Sequence, residues 1–193
     1  RSWITVGVRD GTNSNGDSKL VLRSISNVDD PTTATLYGSG PNLKSLGFRG
    51  YQFVWTPIFG VSPESPNHII APDIEDLVMK YSLDGGVTWE PDAALTTLLT
   101  HEGVYDFYSQ EVGRSLVTEI SFQPENPNHI LIGSRIGGIV ISNDGGISWK
   151  KVAHTEQIPH ITSFFWDTPN NQVIVSSYGR GLWVLKFTDG YLE

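Results

Sequence analysis

The sequence predicts an all-β protein made of repeated, antiparallel four-stranded units, and three observations carry that prediction. First, the octet Ser82–Trp89, SLDGGVTW, returns at Ser142–Trp149 as SNDGGISW. Second, each octet follows another shared phrase, SPESPNHI or QPENPNHI, so that Asp84 to Asp144 spans 60 residues and His68 to His129 spans 61. A fixed long period is the mark of stacked supersecondary units. Third, 20 Gly, 11 Pro, 8 Phe, 7 Tyr and 6 Trp among 193 residues favour short strands joined by tight turns. Gly and Pro punctuate chains, and aromatic side chains fit pleated surfaces.

From the N-terminus, Ser2 to Val8 reads as a strand and Asp10 to Ser18, DGTNSNGDS, as a polar loop. Lys19 to Ser26 and Ala34 to Gly38 read as the first two strands of an N-terminal unit, while Gly38 to Gly50 shows no clean alternation. A unit over residues 51–92 contains YQFVWTPIFGV, HIIAPD, DLVMKYS and VTWEP. Asp92 to Ser115 is a long inter-unit loop. The clearest unit, 117–152, has VTEISF, HILIGS, GGIVIS and ISWKKV as four apolar runs separated by turn residues, the pattern of antiparallel strands. Its last hairpin turns at Asn143 to Gly146, where glycine accepts positive φ and Asp can bond nearby amides. A third unit, 160–187, has ITSFFW, QVIVSS and GLWVLKF, and only TDGYLE follows Phe187, leaving its fourth strand missing.

Four-stranded units at this spacing, with Gly and aromatics at fixed places, are the signature of β-propeller blades. The octets resemble the Asp-box, Ser-x-Asp-x-Gly-x-Thr-Trp, of the Asp-box or BNR-repeat propellers. Ser82, Asp84, Gly86, Thr88 and Trp89 match it, as do Ser142, Asp144, Gly146, Ser148 and Trp149 with Ser in place of Thr. SSYGRGLWVL, Ser176–Leu185, is similar to a phrase of xyloglucanase-type glycoside hydrolases and of sortilin or Vps10-like proteins. The resemblance covers Tyr51 to Phe187, roughly seven tenths of the chain. It implies antiparallel blades, three recognisable and one N-terminal candidate. Propellers need at least about four blades, so further blades are expected from a longer parent chain or from another chain. Arg1 as first residue and Met79 as sole methionine fit a chain cut from something longer. In a self-contained variant, Trp3 to Val8 supplies the missing fourth strand of the last unit.

Composition excludes several function classes. A net charge of −8, with 13 Lys and Arg spread along the chain, argues against a nucleic-acid groove and against anionic membranes. No segment approaches the roughly 18–20 apolar residues of a membrane span, so no insertion is expected. Zero Cys excludes disulfides, thiolate metal sites and cysteine nucleophiles. DGTNSNGDS fails as an EF-hand loop, because Gly11 and Leu22 occupy ligand positions one and twelve. No cofactor and no metal are expected.

The resemblance places the Asp-box on the hairpin between third and fourth strands, so Asp84 and Asp144 read as turn-bonding groups and Trp89 and Trp149 as core anchors. Strand direction then gathers the loops joining strands two and three, and those joining units, at the opposite end. There the resemblance places ligands, carbohydrate or protein. The candidates are Asp73, Glu75 and Asp76 in PDIED, Arg135 in SRIGG, Tyr178 and Arg180 in SYGRG, and His101, Glu102, Tyr105 and Asp106 in the long loop. A glycosidase needs two carboxylates about 5–9 Å apart, for which Asp73, Asp76, Glu102 and Asp106 are the weak catalytic candidates; alternatively they are solvated turn residues. Arg180 equally suits its own turn's carbonyls. The Arg triad of the sialidase branch has no motif here. His68 and His129 start equivalent strands, with Gln172 in the third copy, so they read as turn partners rather than ligands; His154 and His160 lack ligand-like spacing. The expected function is binding or scaffolding in an exported or cell-surface protein, with a secreted glycoside hydrolase and a structural subunit of a surface assembly as alternatives.

Overall fold

A computed structural model describes residues 3–12, 18–27, 29–30, 32, 35–37, 43–44, 58–109 and 114–188. The sheets are antiparallel throughout, as expected. The chain, read from sequence as one segment, divides into two compact units: Arg1–Ala93 with Tyr108–Ser115, and Ala94–Phe107 with Leu116–Glu193.

In the first unit, β1 (Trp3–Thr12), β2 (Ser18–Ser26), β3 (Thr35–Tyr37) and β4 (Leu43–Lys44) form one sheet, in which β1, β3 and β4 all pair with β2. Trp3 to Val8 therefore lies opposite Val21 to Ser26, and the strand proposed to complete the last unit belongs to an N-terminal hairpin instead. The polar stretch from Asp10 is also shorter than expected, since β1 continues through Thr12 past an irregularity after Arg9. The expected first two strands of this unit are its second and third: Lys19 to Ser26 lies within β2, and of the run Ala34 to Gly38 the described residues Thr35–Tyr37 form β3. A second sheet orders β5 (Gly60–Val61), β6 (Ile69–Asp73), β7 (Val78–Ser82) and β8 (Glu90–Asp92) in sequence. The start of its expected first strand, residues 51–57, lies outside the described residues. Ile69 and Ala71 pack with Phe59, Val61 and Trp89 as its core.

The stretch Asp92 to Ser115 is more than a loop. It holds a helix, α1 (Ala93–Leu99), and the paired strands β9 (Tyr108–Ser109) and β10 (Arg114–Ser115). Asp92 before an AALTTLL run is a helix-start signal, and Leu95 and Leu99, four apart on one face, are both buried.

In the second unit, β11 (Val117–Phe122), β12 (Ile130–Ser134), β13 (Ile139–Ser142) and β14 (Lys150–Lys151) repeat the four-strand order. β15 (Ile161–Asp167), β16 (Gln172–Ser177) and β17 (Gly181–Lys186) form a three-stranded sheet among the described residues. The two sheets share one core: Leu131, Ile139 and Ile141 from one meet Ile161, Phe164, Val173 and Val175 from the other. Trp166 Nε1 donates across that interface to Ser121 Oγ at 2.9 Å. Gly133 permits the approach, because a Cβ there would lie 2.5 Å from Ile161 Cγ2. No helix among the described residues is long and apolar enough to cross a membrane.

Candidate functional site

The octets are built as turn locks. Ser82 Oγ accepts from the Gly86 amide at 2.7 Å and donates to Asp84 Oδ1 at 2.8 Å. Asp84 accepts from the Thr88 hydroxyl at 2.6 Å and from the Val87 and Thr88 amides at 3.0 and 2.9 Å. These bonds, led by the Thr88 hydroxyl, hold its carboxyl down at about 2 although it is exposed. Asp144 repeats the arrangement with Ser148 and Ser142 and is likewise lowered, the Ser148 hydroxyl being the largest cause. Trp89 Nε1 donates to Gly86 O at 3.0 Å. At the same end of the unit, buried His129 pairs through Nδ1 with Gln123 Oε1 at 2.6 Å, and in the last repeat Gln172 Nε2 donates to Asp167 Oδ2 at 2.6 Å. Burial lowers the pKa of His68 and His129. These positions hold the hairpin end.

At the opposite end, the turns joining second to third strands share one geometry. Four residues after Asp73, Ser134 and Ser177, φ is positive in every copy: Leu77 at 55°, Gly138 at 79° and Gly181, which opens β17, at 75°. The residue before the turn ties it in the first two copies, whereas in the last it bonds outside the turn. Asp73 Oδ1 accepts from the amides of Glu75 and Asp76 at 2.9 and 3.1 Å, Ser134 Oγ accepts from the Gly137 amide at 2.7 Å, and Ser177 Oγ donates to Pro159 O.

PDIED therefore presents its acids unevenly. Asp73 is 4% exposed, and Lys80 Nζ donates to Asp73 Oδ2 at 2.8 Å and to Asp76 Oδ2 at 2.5 Å. Burial tends to lower the Lys80 pKa, but the hydrogen bonds and charges of Asp73 and Asp76 outweigh it and raise the value. Asp73 and Asp76 meet on one lysine, as a clamp on their own turn. Glu75 is exposed beside them. Glu102 and Asp106, the other carboxylate candidates, belong to the second unit and are exposed there.

The second unit gathers the remaining candidates. The Arg135 amide donates to Leu116 O at 2.8 Å, the His160 amide to Arg135 O at 2.9 Å, and the Tyr178 amide to His160 O at 2.9 Å. This backbone chain fixes Arg135, His160 and Tyr178 side by side, with the His160 and Tyr178 rings 5.6 Å apart. His101 Nε2 lies 3.4 Å from Gly137 O, one turn of chain from Arg135, and its ring is 4.6 Å from that of Tyr105. His101, Glu102 and His160 hold φ of 51°, 58° and 47°, a conformation costly for residues with a Cβ and concentrated at functional positions. Arg135 Nε is buried without a hydrogen-bond partner. Tyr178 is 76% exposed and Arg180 is exposed in the same turn.

Two groups near this end escaped sequence reasoning. Thr118 Oγ1 is buried and unpartnered, and burial pushes the neighbouring Glu119 carboxyl up to about 7. They sit where the β11 register shifts opposite Gly133. The last repeat has the same shift, and there Thr162 Oγ1 meets Ser176 Oγ at 2.7 Å. Gly133 replaces that serine, so Thr118 loses its partner. The available signal was an acid lodged inside an apolar run, VTEISF. Among the described residues no cluster of three His, Cys, Asp or Glu could hold a metal.

Sheets ordered first to fourth strand, with the turn locks between third and fourth, define a repeat protein of propeller type. The chain carries two BNR/Asp-box repeats: that family matches residues 80–91 and 140–151. Similar solved structures include YCF48 from Cyanidioschyzon merolae, 19% identical with a TM-score of 0.48, over 66% of this chain and 35% of that one. A structure of YCF48 bound to D1 peptide is 13% identical with a TM-score of 0.49, over 93% of this chain and 50% of that one. An ancestral GH74 enzyme is 16% identical with a TM-score of 0.46, over 97% of this chain and 24% of its own. The chain thus spans half or less of the length of these proteins. No curated protein sequence matches it.

Proposed function

We propose that the chain is a binding module that takes a protein ligand on the turn face of its second unit, over Arg135, His160, Tyr178 and Arg180, flanked by His101 and Tyr105. The observation that carries this reading is the backbone chain through Arg135, His160 and Tyr178 together with the unmatched Arg135 Nε. Buried donors without partners are rare because each costs about 1–3 kcal/mol, so a ligand group that orders the guanidinium recovers energy on binding. Arg and Tyr are also the side chains that carry most interface energy. An exported or cell-surface setting belongs to this proposal, and fractionation of the source cells checks it.

The test is a panel of peptides and of oligosaccharides screened against the chain. Arg135→Ala and Tyr178→Ala should each weaken peptide binding about tenfold or more without shifting the unfolding midpoint. Binding confined to oligosaccharides makes the face a carbohydrate site, and binding indifferent to both substitutions removes it from the reading.

A hydrolase reading has one observation in its favour, the Glu119 carboxyl at about 7, the range of a general acid. It requires a second carboxylate about 5–9 Å away. Reducing-sugar release that Glu119→Gln abolishes, with folding intact, would favour it.

A further inference from the structure

The octets carry a chemical hazard. The Asp-box leaves the position after its aspartate open, and both copies fill it with glycine, as Asp84–Gly85 and Asp144–Gly145. Gly85 and Gly145 hold φ of 78° and 72°, a conformation that suits glycine. Aspartate followed by glycine is also the pair most prone to rearrange, because no side chain hinders the next amide. The glycine nitrogen attacks the aspartate Cγ: a C–N bond forms, the amide proton is lost, and the carboxyl C–OH bond breaks with release of water. Water then opens the cyclic imide, and opening at the α-carbonyl leaves the chain running through the β-carboxyl carbon as isoaspartate.

Both reacting groups are engaged in each copy. The Gly85 amide, the nucleophile, donates to Asn67 O at 3.0 Å, and the Gly145 amide to Asn128 O at 3.0 Å. Those carbonyls belong to the phrases SPESPNHI and QPENPNHI, so the two phrases that recur together act on one bond. The electrophile must be the neutral acid, since a carboxylate oxygen does not leave. Asp84 instead accepts from the Thr88 hydroxyl and amide, the Ser82 hydroxyl and the Val87 amide. Asp144 accepts from the Ser148 hydroxyl and amide and the Ser142 hydroxyl. With Asp84 held at about 2 against an ordinary 3.8, about sixtyfold less neutral acid is present at neutral pH.

We infer that each octet, together with the asparagine carbonyl of the turn beside it, protects its own Asp–Gly bond from conversion to isoaspartate. Conversion would add one carbon to the main chain between Ser82 and Trp89. Trp89 is bonded through Nε1 to Gly86 O and packs on Ile69 and Ala71, so the added carbon would displace a core anchor. This inference is independent of the turn-face ligand, since the two sites share no residue.

The 193-residue chain is aged at neutral pH, native and in urea, and isoaspartate at each site is measured by methyltransferase labelling and peptide mapping. Native Asp84 and Asp144 should convert about tenfold or more slowly than the same sites in urea. Thr88→Val removes the hydroxyl donor and should raise conversion at Asp84 about fivefold or more, while Asp144 in the same protein keeps its native rate. Thr88→Ser, which supplies the residue type of the second copy, should keep Asp84 protected. Ser148→Ala should do the reverse, exposing Asp144 and sparing Asp84. Equal rates in the native and urea-unfolded chains overturn the inference. So does a Thr88→Val protein whose Asp84 converts at the wild-type rate, which would assign the protection to hairpin rigidity alone. A rise at both sites in either variant would assign it to folding as a whole and also overturn the inference.

Discussion

The middle repeat, Val117–Lys151, and the last, Ile161–Lys186, share strand order, turn geometry and a register shift in the first strand, yet one is sealed and the other open. β12 and β13 are buried at every position, whereas β17 is exposed along most of its length. Since both strands are apolar, the difference lies in the neighbour and not in the strand. Burial in a repeat protein is conferred by the next repeat, so apolar side chains at equivalent positions stabilise one copy and burden the other.

The largest effect that could break this comparison comes from deleting the same apolar group in both repeats. Ile141→Ala should cost about 2–5 kcal/mol, because it removes a buried side chain from the shared core. Val184→Ala, at the equivalent position, should stay within about 0.5 kcal/mol. Paired urea titrations measure both; equal losses would mean that the last sheet is covered already.

Next comes the close approach at Gly133. Gly133→Ala sets a methyl 2.5 Å from Ile161 Cγ2 and 3.1 Å from Phe164 Cζ and should destabilise by about 1–3 kcal/mol. Ser176→Ala, at the matching position of the last repeat, loses only an exposed hydroxyl pair and should cost under about 1 kcal/mol. If Gly133→Ala proves neutral, the two sheets are not packed at this distance.

Glu119 sharpens the comparison through pH, its counterpart being the uncharged Ser163. Burial holds the folded carboxyl at about 7 against its ordinary 4.5, so the folded state binds more protons between those values. The resulting stability is full below pH 4.5 and is lost as pH rises through 7. Glu119→Gln should flatten that slope and leave the protein about 1–2 kcal/mol more stable than wild type at pH 8, after allowance for solvent screening. Denaturant midpoints at pH 4.5 and pH 8 decide it; an unchanged slope would place the titrating group elsewhere.

Much of this plan was legible in the sequence, because repeated phrases carry their geometry with them. The Asp-Gly-Gly hairpins and the Pro-Asn-His turns follow from residues whose local chemistry is decisive. The short helix was hidden by its length: AALTTLL offers two core leucines and little else. The hairpin of β1 with β2 was hidden because strand pairing is non-local, and Trp3 to Val8 alternates equally well beside any apolar edge. At the candidate site, residue types were visible but their employment was not. Asp73 looked available and is a turn clamp; Arg135 was one loop residue among several until its unmatched Nε set it apart. Thr118 became an orphan through a glycine across the strand, a relation that exists only in register.

The smallest effect extends the comparison to the first complete sheet. Gly138 and Gly181 close their turns at positive φ without cost, but Leu77 holds the same place at 55° with its side chain 51% exposed. A left-handed conformation costs a residue with a Cβ about 1–2 kcal/mol, and the greater freedom of glycine in the unfolded chain returns part of any gain from replacing it. Leu77→Gly should therefore stabilise by about 0.5–1 kcal/mol, whereas the converse change, Gly138→Ala, brings a methyl within 2.7 Å of the Glu156 amide and should destabilise. The clamp of Lys80 on Asp73 and Asp76 is what lets the leucine stay, since it fixes the turn that glycine would otherwise relax. If Leu77→Gly gains nothing in wild type, its combination with Lys80→Ala should still recover part of the loss that Lys80→Ala causes alone. Failure of that rescue would separate the clamp from the strain it is argued to hold.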